Sequence, residues 1–278
     1  MKVRIVVLFL CVVGACQPDR GTFESSRYFT DSIYSKHLSE YRKHNVYLPQ
    51  GFDPAKDYPI VYETDGATIS ENSFIKRTLD SLISNKIIKP IIIVESHANI
   101  NIADSTSVTF GNGEPVKLMF RNFEYIPDYN LNSNDPDLQN RFFNHMLYFR
   151  NELIPSVERK FEQTITGENR YFFGVSNGAG FGMNLLNFYP NLIGTYLCYS
   201  DMGGHVQTNV WNIHTKYPRL QYVYGTAEAD LIDKSAQKLK EVYSTYNSRL
   251  EIIVYEGGHD YKFWQKYYSL KLEQLFKI

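Results

Sequence analysis

The five residues Gly174-Val175-Ser176-Asn177-Gly178 follow the apolar run Tyr171-Phe172-Phe173 and lead into Gly178, Ala179, Gly180 and Gly182. A strand, a tight turn carrying a serine, and a helix that opens on small residues together form a nucleophile elbow. The turn holds the serine in a sparsely populated backbone conformation, so glycines are needed where side chains would collide. The plainer reading of the pentapeptide is a tight turn with a solvent-facing serine. The strand before it and the helix after it favour the nucleophile, with Ser176 as the attacking residue.

A serine nucleophile needs a base. The chain has seven histidines: His37, His44, His97, His145, His205, His214 and His259. His259 lies in Glu256-Gly257-Gly258-His259-Asp260, directly after the last predicted strand. Chain order places the histidine after both the serine and the acid. His205 also follows a strand and two glycines, but it precedes the acid candidates. The other five read as surface or core histidines. The acid is expected after the run Leu220 to Tyr224, where the chain reads Gly225-Thr226-Ala227-Glu228-Ala229-Asp230. A carboxylate there would hold the histidine in its working tautomer. Glu228 is the first choice and Asp230 the second; a Ser–His dyad without an acid is the third.

These groups need a scaffold, and the periodicity supplies one. Short β-branched or aromatic runs occur at Pro59–Tyr62, Ile91–Val94, Tyr171–Phe173, Tyr196–Tyr199, Leu220–Tyr224 and Ile252–Tyr255. Several are apolar on both faces, as strands of a covered parallel sheet are. Between them, Glu71–Asn85, Arg141–Phe161, Gly178–Tyr189, Asp233–Tyr246 and Tyr261–Phe276 read as helices. The alternation predicts an α/β domain: a central, mostly parallel sheet flanked by helices. Residues 98–140 break the pattern. They are rich in Asn, Asp and Ser, contain a Gly111-Asn112-Gly113 turn, and read as an inserted loop roofing the site.

The chain has 278 residues, 43% hydrophobic and 21% charged, which is enough to bury a sizeable core and excludes a disordered chain. Lys+Arg is 29 and Asp+Glu is 30, a net charge of -1, so there is no electrostatic case for nucleic-acid binding. At the N-terminus, Lys2 and Arg4 precede an apolar run, Val6 to Val13, too short to span a membrane. Val13-Gly14-Ala15-Cys16 resembles a bacterial lipobox, which implies a signal over residues 1–15, acylation of Cys16, and a polar tether over 16–34 before the domain at 35–278. An ordinary secretory signal cut near Ala15 is the alternative. Either way the protein is expected in the cell envelope, lipid-anchored, or secreted. Cys11 would leave with the signal and Cys16 would carry lipid. Cys198 then has no disulfide partner and reads as a buried strand residue.

Several segments, taken in order, resemble the putative-esterase family of α/β-hydrolases, which includes esterase D, feruloyl and acetylxylan esterases and siderophore esterases. Val46-Tyr47-Leu48-Pro49 with Gly51-Phe52-Asp53 is similar to the family opening. Tyr58–Gly66 is similar to its "YPVLYLLDG" strand, and Arg121–Pro127 to its "R-x-x-EY-x-P" segment. Glu152-Leu153-Ile154-Pro155 matches "ELIP", and Gly257–Trp264 resembles "GGHDWxxW" with Tyr261 in place of tryptophan. Thr64 and Ala67 also depart from the pattern. The resemblance implies an α/β-hydrolase fold and an oxyanion hole built from the backbone N–H of Asn177 and a second N–H near Gly66 or Ala67. It also implies an arginine near the site, Arg121, able to hold an acidic or catecholate part of a substrate; an ion pair with Glu124 or a neighbour is the alternative. No cofactor is expected. Asp128, Asn130 and Asn132 open like a calcium loop, but Ser133 and Gln139 stand where glycine and glutamate belong. The expected function is a serine esterase forming an acyl-enzyme on a polysaccharide acyl group or a siderophore ester. Acyl transfer from the same site and a non-catalytic surface ligand-binding lipoprotein are the alternatives.

Overall fold

A computed structural model of the chain describes residues 25–70, 72–109, 115–131, 135–212 and 214–278. The signal, Cys16, the Gly111-Asn112-Gly113 turn and the pair Asn132-Ser133 lie outside the described residues.

The chain opens with two long strands, β1 (Arg27–Ser35) and β2 (Glu40–Leu48), which pair antiparallel. Residues 27–34, expected within a tether, belong to β1. Neither strand stands out in the sequence. They carry polar side chains such as exposed Lys43 and half-buried Asp31, and they lack the continuous apolar runs of the sheet centre. β3 (Ile60–Gly66), α1 (Phe74–Ser84) and β4 (Ile92–His97) follow.

Residues 98–140, expected as an irregular insertion, are mostly regular. They hold the antiparallel pair β5 (Ile102–Thr109) and β6 (Pro115–Met119) and three short helices, α2 (Phe120–Tyr125), α3 (Pro127–Leu131) and α4 (Pro136–Gln139). Leu118, Phe123 and Leu138 form a small core of their own beneath them. The apolar positions are too few and too widely spaced to show a period, while Pro127 and Pro136 sit at helix starts, where proline is tolerated.

The predicted helix over Arg141–Phe161 is broken into α5 (Arg141–Tyr148), a π-helical turn (Phe149–Leu153) and α6 (Ile154–Lys160). Pro155 has no N–H to give to an i−4 carbonyl, and the preceding Ile154 N–H donates to Phe149, five residues back. Then come β7 (Arg170–Val175), α7 (Asn177–Phe188), β8 (Thr195–Tyr199), β9 (Arg219–Gly225), α8 (Asp230–Val242), β10 (Leu250–Tyr255) and α9 (Tyr261–Phe276). The helix expected over Asp233–Tyr246 starts and ends earlier, and a 3-10 segment (Ser244–Arg249) follows it.

Eight strands form one sheet in the order β1-β2-β4-β3-β7-β8-β9-β10. From β4 through β10 every neighbour pairs parallel; β1 and β2 are antiparallel. Alternate strand residues feed two cores. Tyr62, Val94, Cys198 and Tyr222 pack with Phe149 and Phe181 on one face. Val61, Ile93, Leu197 and Val223 pack with Leu79 and Leu272 of α1 and α9 on the other. Cys198 is fully buried, as expected of a strand residue. Among the described residues no helix is long and apolar enough to cross a membrane.

Candidate active site

The turn between β7 and α7 holds Ser176 at φ 54°, ψ −126°. A non-glycine residue in this positive-φ region is strained and persists only where its surroundings fix it. Here the Ser176 N–H donates to Tyr199 O at 2.9 Å, and the Ser176 carbonyl accepts from Met202 N at 3.1 Å and Gly180 N at 3.0 Å. The small residues that follow are required by close packing. A Cβ at Gly178 would overlap Thr64 Oγ1 and come within 2.7 Å of Asp65 Oδ2; one at Gly174 would meet the Gly178 carbonyl at 2.5 Å. The turn after β3 is thereby seated against the elbow.

Three side chains from three loops make one hydrogen-bonded line. His259 Nε2 lies 3.0 Å from Ser176 Oγ, and His259 Nδ1 lies 2.9 Å from Glu228 Oε2. The loops after β9 and β10 hold the pair in register, since Thr226 N donates to Tyr255 O and Ala227 N to Gly257 O, at 2.9 and 2.8 Å. Gly257 has φ 143°, a conformation that suits glycine, and its loop turns back over the sheet end. Asp230 is the exposed first residue of α8, so of the two acid candidates Glu228 is the one that reaches the imidazole. His205, the competing base, has its Nε2 3.3 Å from Asp128 Oδ2.

Glu228 is anchored on its other oxygen. Oε1 accepts from Ser200 Oγ at 2.6 Å and from Gly225 N at 2.8 Å. The Tyr255 hydroxyl, which donates to Gly258 O at 2.8 Å, is 3.2 Å from the same oxygen. Burial pushes the carboxyl up, but the hydrogen bonds from His259, Ser200 and Gly225 outweigh it and hold it below the ordinary range. Ser200 in turn accepts from Trp264 Nε1 at 2.7 Å, and the Trp264 ring meets His259 edge-on at 4.6 Å. Ser200 and Trp264 escape a reading by residue type. The visible signal for Trp264 is its place five residues after His259, and Ser200 has none beyond ending a strand run.

The second expected oxyanion loop is braced by its neighbours. Ala67 O accepts from Asn45 Nδ2 at 2.8 Å and Gly66 O from Ala98 N at 3.3 Å, while a Cβ at Gly66 would stand 2.6 Å from Glu95 O. Asn177 is the first residue of α7, so its N–H is one of the four that a helix leaves without an intrahelical acceptor. Arg121 of α2 forms an ion pair, and its partner is Asp65 rather than Glu124. Burial would lower its pKa, but the hydrogen-bonded Asp65 carboxylate more than offsets this and keeps it a cation. Glu124, fully buried, binds Arg42 and Arg141 and ties α2 to β2 and α5.

Beside Ser176 and His259 opens a cavity of about 1030 Å³, bounded by Tyr129 and Ile126 from the inserted segment, by Met202 and His205 after β8, and by Leu231 of α8. Residues of the 98–140 segment therefore line this cavity from short helices. Asp201 lines the cavity floor. Burial pushes its carboxyl up to about 7, against hydrogen bonds from Gly204 N and the Tyr222 hydroxyl. Among the described residues no three His, Cys, Asp or Glu side chains converge as metal ligands.

A serine at a strained strand–helix turn, a histidine after the last strand and this strand order are those of an α/β-hydrolase, and the family to which the chain belongs makes it a carboxylic ester hydrolase. The chain belongs to the putative esterase family, whose pattern matches residues 35–270. It is similar to an uncharacterized protein of Bacillus subtilis strain 168, YjcH, with 22% identity over 93% of this chain and 99% of that one. Among solved structures it is similar to a ferulic acid esterase of Anaeromyces mucronatus, with 18% identity, a TM-score of 0.60, and coverage of 92% of this chain and 95% of that one. It is also similar to the enterobactin esterase of Shigella flexneri, studied in the presence of enterobactin, with 17% identity, a TM-score of 0.66 and 90% of this chain covered. The chain spans little over half of that protein, 58%.

Proposed function

We propose that the protein is a serine esterase that cleaves an extracytoplasmic ester through an acyl-enzyme. The observation that carries this reading is the unbroken line Ser176 Oγ, His259 Nε2, His259 Nδ1, Glu228 Oε2, with spacings of 3.0 and 2.9 Å. In this reading His259 takes the Ser176 proton as the hydroxyl attacks the ester carbonyl, and returns it to the departing alkoxide. Water then enters, His259 removes its proton, and the acyl group leaves as a carboxylic acid. Glu228 keeps the Nδ1 proton in place throughout. The oxyanion sits on the Asn177 N–H and a second N–H at Gly66 or Ala67.

Of the two substrate classes, an acylated polysaccharide fits better than a catecholate siderophore. No Lys or Arg is among the described residues lining the large cavity, which carries Asp128, Asp201 and Glu228, and an anionic ligand would meet no fixed cation there. An open cavity of about 1030 Å³ suits an extended neutral ligand. Anchoring through Cys16 would keep the enzyme where such glycans are met.

The test is a fluorophosphonate probe together with a panel of acetyl, feruloyl and catecholate esters. Wild type should be labelled and should turn over the neutral esters. Ser176→Ala should not be labelled and should lose on the order of 10⁴-fold or more in kcat. Turnover by Ser176→Ala close to wild type defeats the reading.

A further inference from the structure

Three of the N–H groups of Arg121 are already spent on the protein. Nε donates to Asp65 Oδ1 at 2.5 Å, Nη2 to Asp65 Oδ2 at 3.0 Å, and Nη1 to the side-chain oxygen of Asn177 at 2.9 Å. The guanidinium lies over the Tyr125 ring, 4.8 Å from its centre, and the side chain is only 20% exposed. Tyr125 is fully buried, and its hydroxyl accepts from Asp65 N at 3.3 Å. Asp65 itself is held at φ 63°, in the left-handed region. A strained non-glycine residue of this kind persists only where other contacts fix it, and here two anchors four residues apart, Arg121 and Tyr125, come from one helix.

The two partners of Arg121 are not scattered. Asn177 follows the nucleophile and carries one expected oxyanion N–H. Asp65 immediately precedes Gly66 and Ala67, which carry the other. The Asn177 side chain is held from its second end as well, since Nδ2 donates to Met202 O at 3.3 Å. The helix bearing Arg121 is fixed in turn by buried Glu124, three residues on, which accepts from Arg42 and Arg141. One planar fork therefore ties the β3 turn to the elbow, and a rigid ion-pair cluster ties that fork to the sheet.

We propose that Arg121 is a positioning residue that clamps Asp65 and Asn177 so that the two oxyanion N–H groups stand at the spacing a tetrahedral intermediate requires. Arg121 then acts through Asp65 and Asn177 and does not bind a substrate anion. The inference rests on the serine-esterase reading. An oxyanion donor is worth roughly 10²–10³-fold in kcat, and a displacement of about 1 Å is enough to lose much of that. Lysine in place of arginine keeps the charge but loses the fork, so it should not substitute.

The test is steady-state kinetics of Arg121→Gln and Arg121→Lys on a neutral aryl acetate, alongside binding of a trifluoromethyl ketone analogue that forms a tetrahedral adduct. Both variants should lose about 10²-fold in kcat with KM within about threefold, and affinity for the ketone should fall in step with kcat/KM. A merely structural role would not make the loss follow affinity for the tetrahedral adduct. Asn177→Ala keeps its backbone N–H but loses its contact to Arg121. It is the control if the Arg121 variants do not fold, and it should lose about tenfold in kcat with KM held. Two outcomes overturn the proposal: wild-type kcat in Arg121→Lys or in Asn177→Ala, or a KM that rises only for an ester bearing a carboxylate while kcat stays level. The second assigns Arg121 to the substrate. Activity surviving in Ser176→Ala would instead defeat the reading beneath the proposal, so the two failures are distinguishable.

Discussion

Oε2 of Glu228 lies 2.9 Å from Nδ1 of His259, and the two side chains differ sharply in exposure: 3% for the carboxylate and 43% for the imidazole. In the proposed mechanism the orienting group is thus enclosed while the base faces the cavity. Glu228→Gln should keep the fold and lose up to about 10⁴-fold in kcat, because an amide can donate to Nδ1 and stabilise the wrong tautomer. Asp230→Asn, at an exposed helix start, should cost less than about tenfold. Hydrolysis rates of the two purified variants decide it, and the reverse ranking would move the role to Asp230.

Ser200 is the link between Glu228 and Trp264. Ser200→Ala deletes the 2.6 Å hydrogen bond to Oε1 and leaves the Trp264 N–H without its acceptor. A hydrogen bond to a charged group contributes about 1.5–3 kcal/mol, so kcat should fall by about tenfold or more with KM little changed. With one donor gone, the Glu228 carboxyl rises toward its ordinary range. The acid limb of the kcat/KM profile should therefore move to higher pH, and Ser200→Thr should restore most of it. An unmoved acid limb would separate Ser200 from the acid.

Asp201 gives the protein a pH-dependent stability of definite sign. Its carboxyl is raised by burial to about 7, against about 3.9 in an unfolded chain. The folded state therefore holds a proton that the unfolded state releases. The stability this group contributes is fully present below about pH 4, falls by about 1.4 kcal/mol per pH unit as pH rises, and is lost once pH passes about 7. Asp201→Asn keeps an acceptor for Gly204 N and cannot ionise. Urea unfolding from about pH 4 to about pH 8 should show wild type losing stability relative to this variant. Parallel curves for the two proteins would show that Asp201 does not titrate in this way.

Acylation at Cys16 predicts that the full-length protein partitions into detergent and that N-terminal mass spectrometry finds a diacylglyceryl cysteine. Cys16→Ser should stay in the aqueous phase. A chain beginning near Gln17 should be soluble and fully active, since the anchor plays no part in the chemistry. A Cys16→Ser protein that still partitions with detergent removes the anchor.

The elements at the centre of the sheet were legible from the sequence because a strand buried on both faces must be apolar throughout, as Tyr196–Tyr199 is, and because a helix packed on it must alternate, as α1 does. The elbow was legible for a local reason as well. Ser176, its strand and its small-residue helix are consecutive, so the strain and close packing they need leave their mark within twelve residues of chain. β1 and β2 were not legible, because β1 alternates exposed with half-buried positions and β2 buries polar residues, Arg42, His44 and Asn45, where a purely apolar run would mark a strand.

The acid shows most clearly where local information stops. Spacing left Glu228 and Asp230 both open, since each follows the same strand end by a few residues. Only the packing of the β9 loop against the β10 loop turns one carboxylate inward to the imidazole and leaves the other at an exposed helix start. Arg121 is the same case at longer range. Its charge and family position suggested a clamp for a substrate anion. Its partner Asp65 is 56 residues away in sequence and becomes its neighbour only when α2 folds across the end of β3. Residue types and short-range periodicity determine which groups are present and on which element. Contacts between loops distant in the chain decide which of those groups face one another, and no local pattern encodes them.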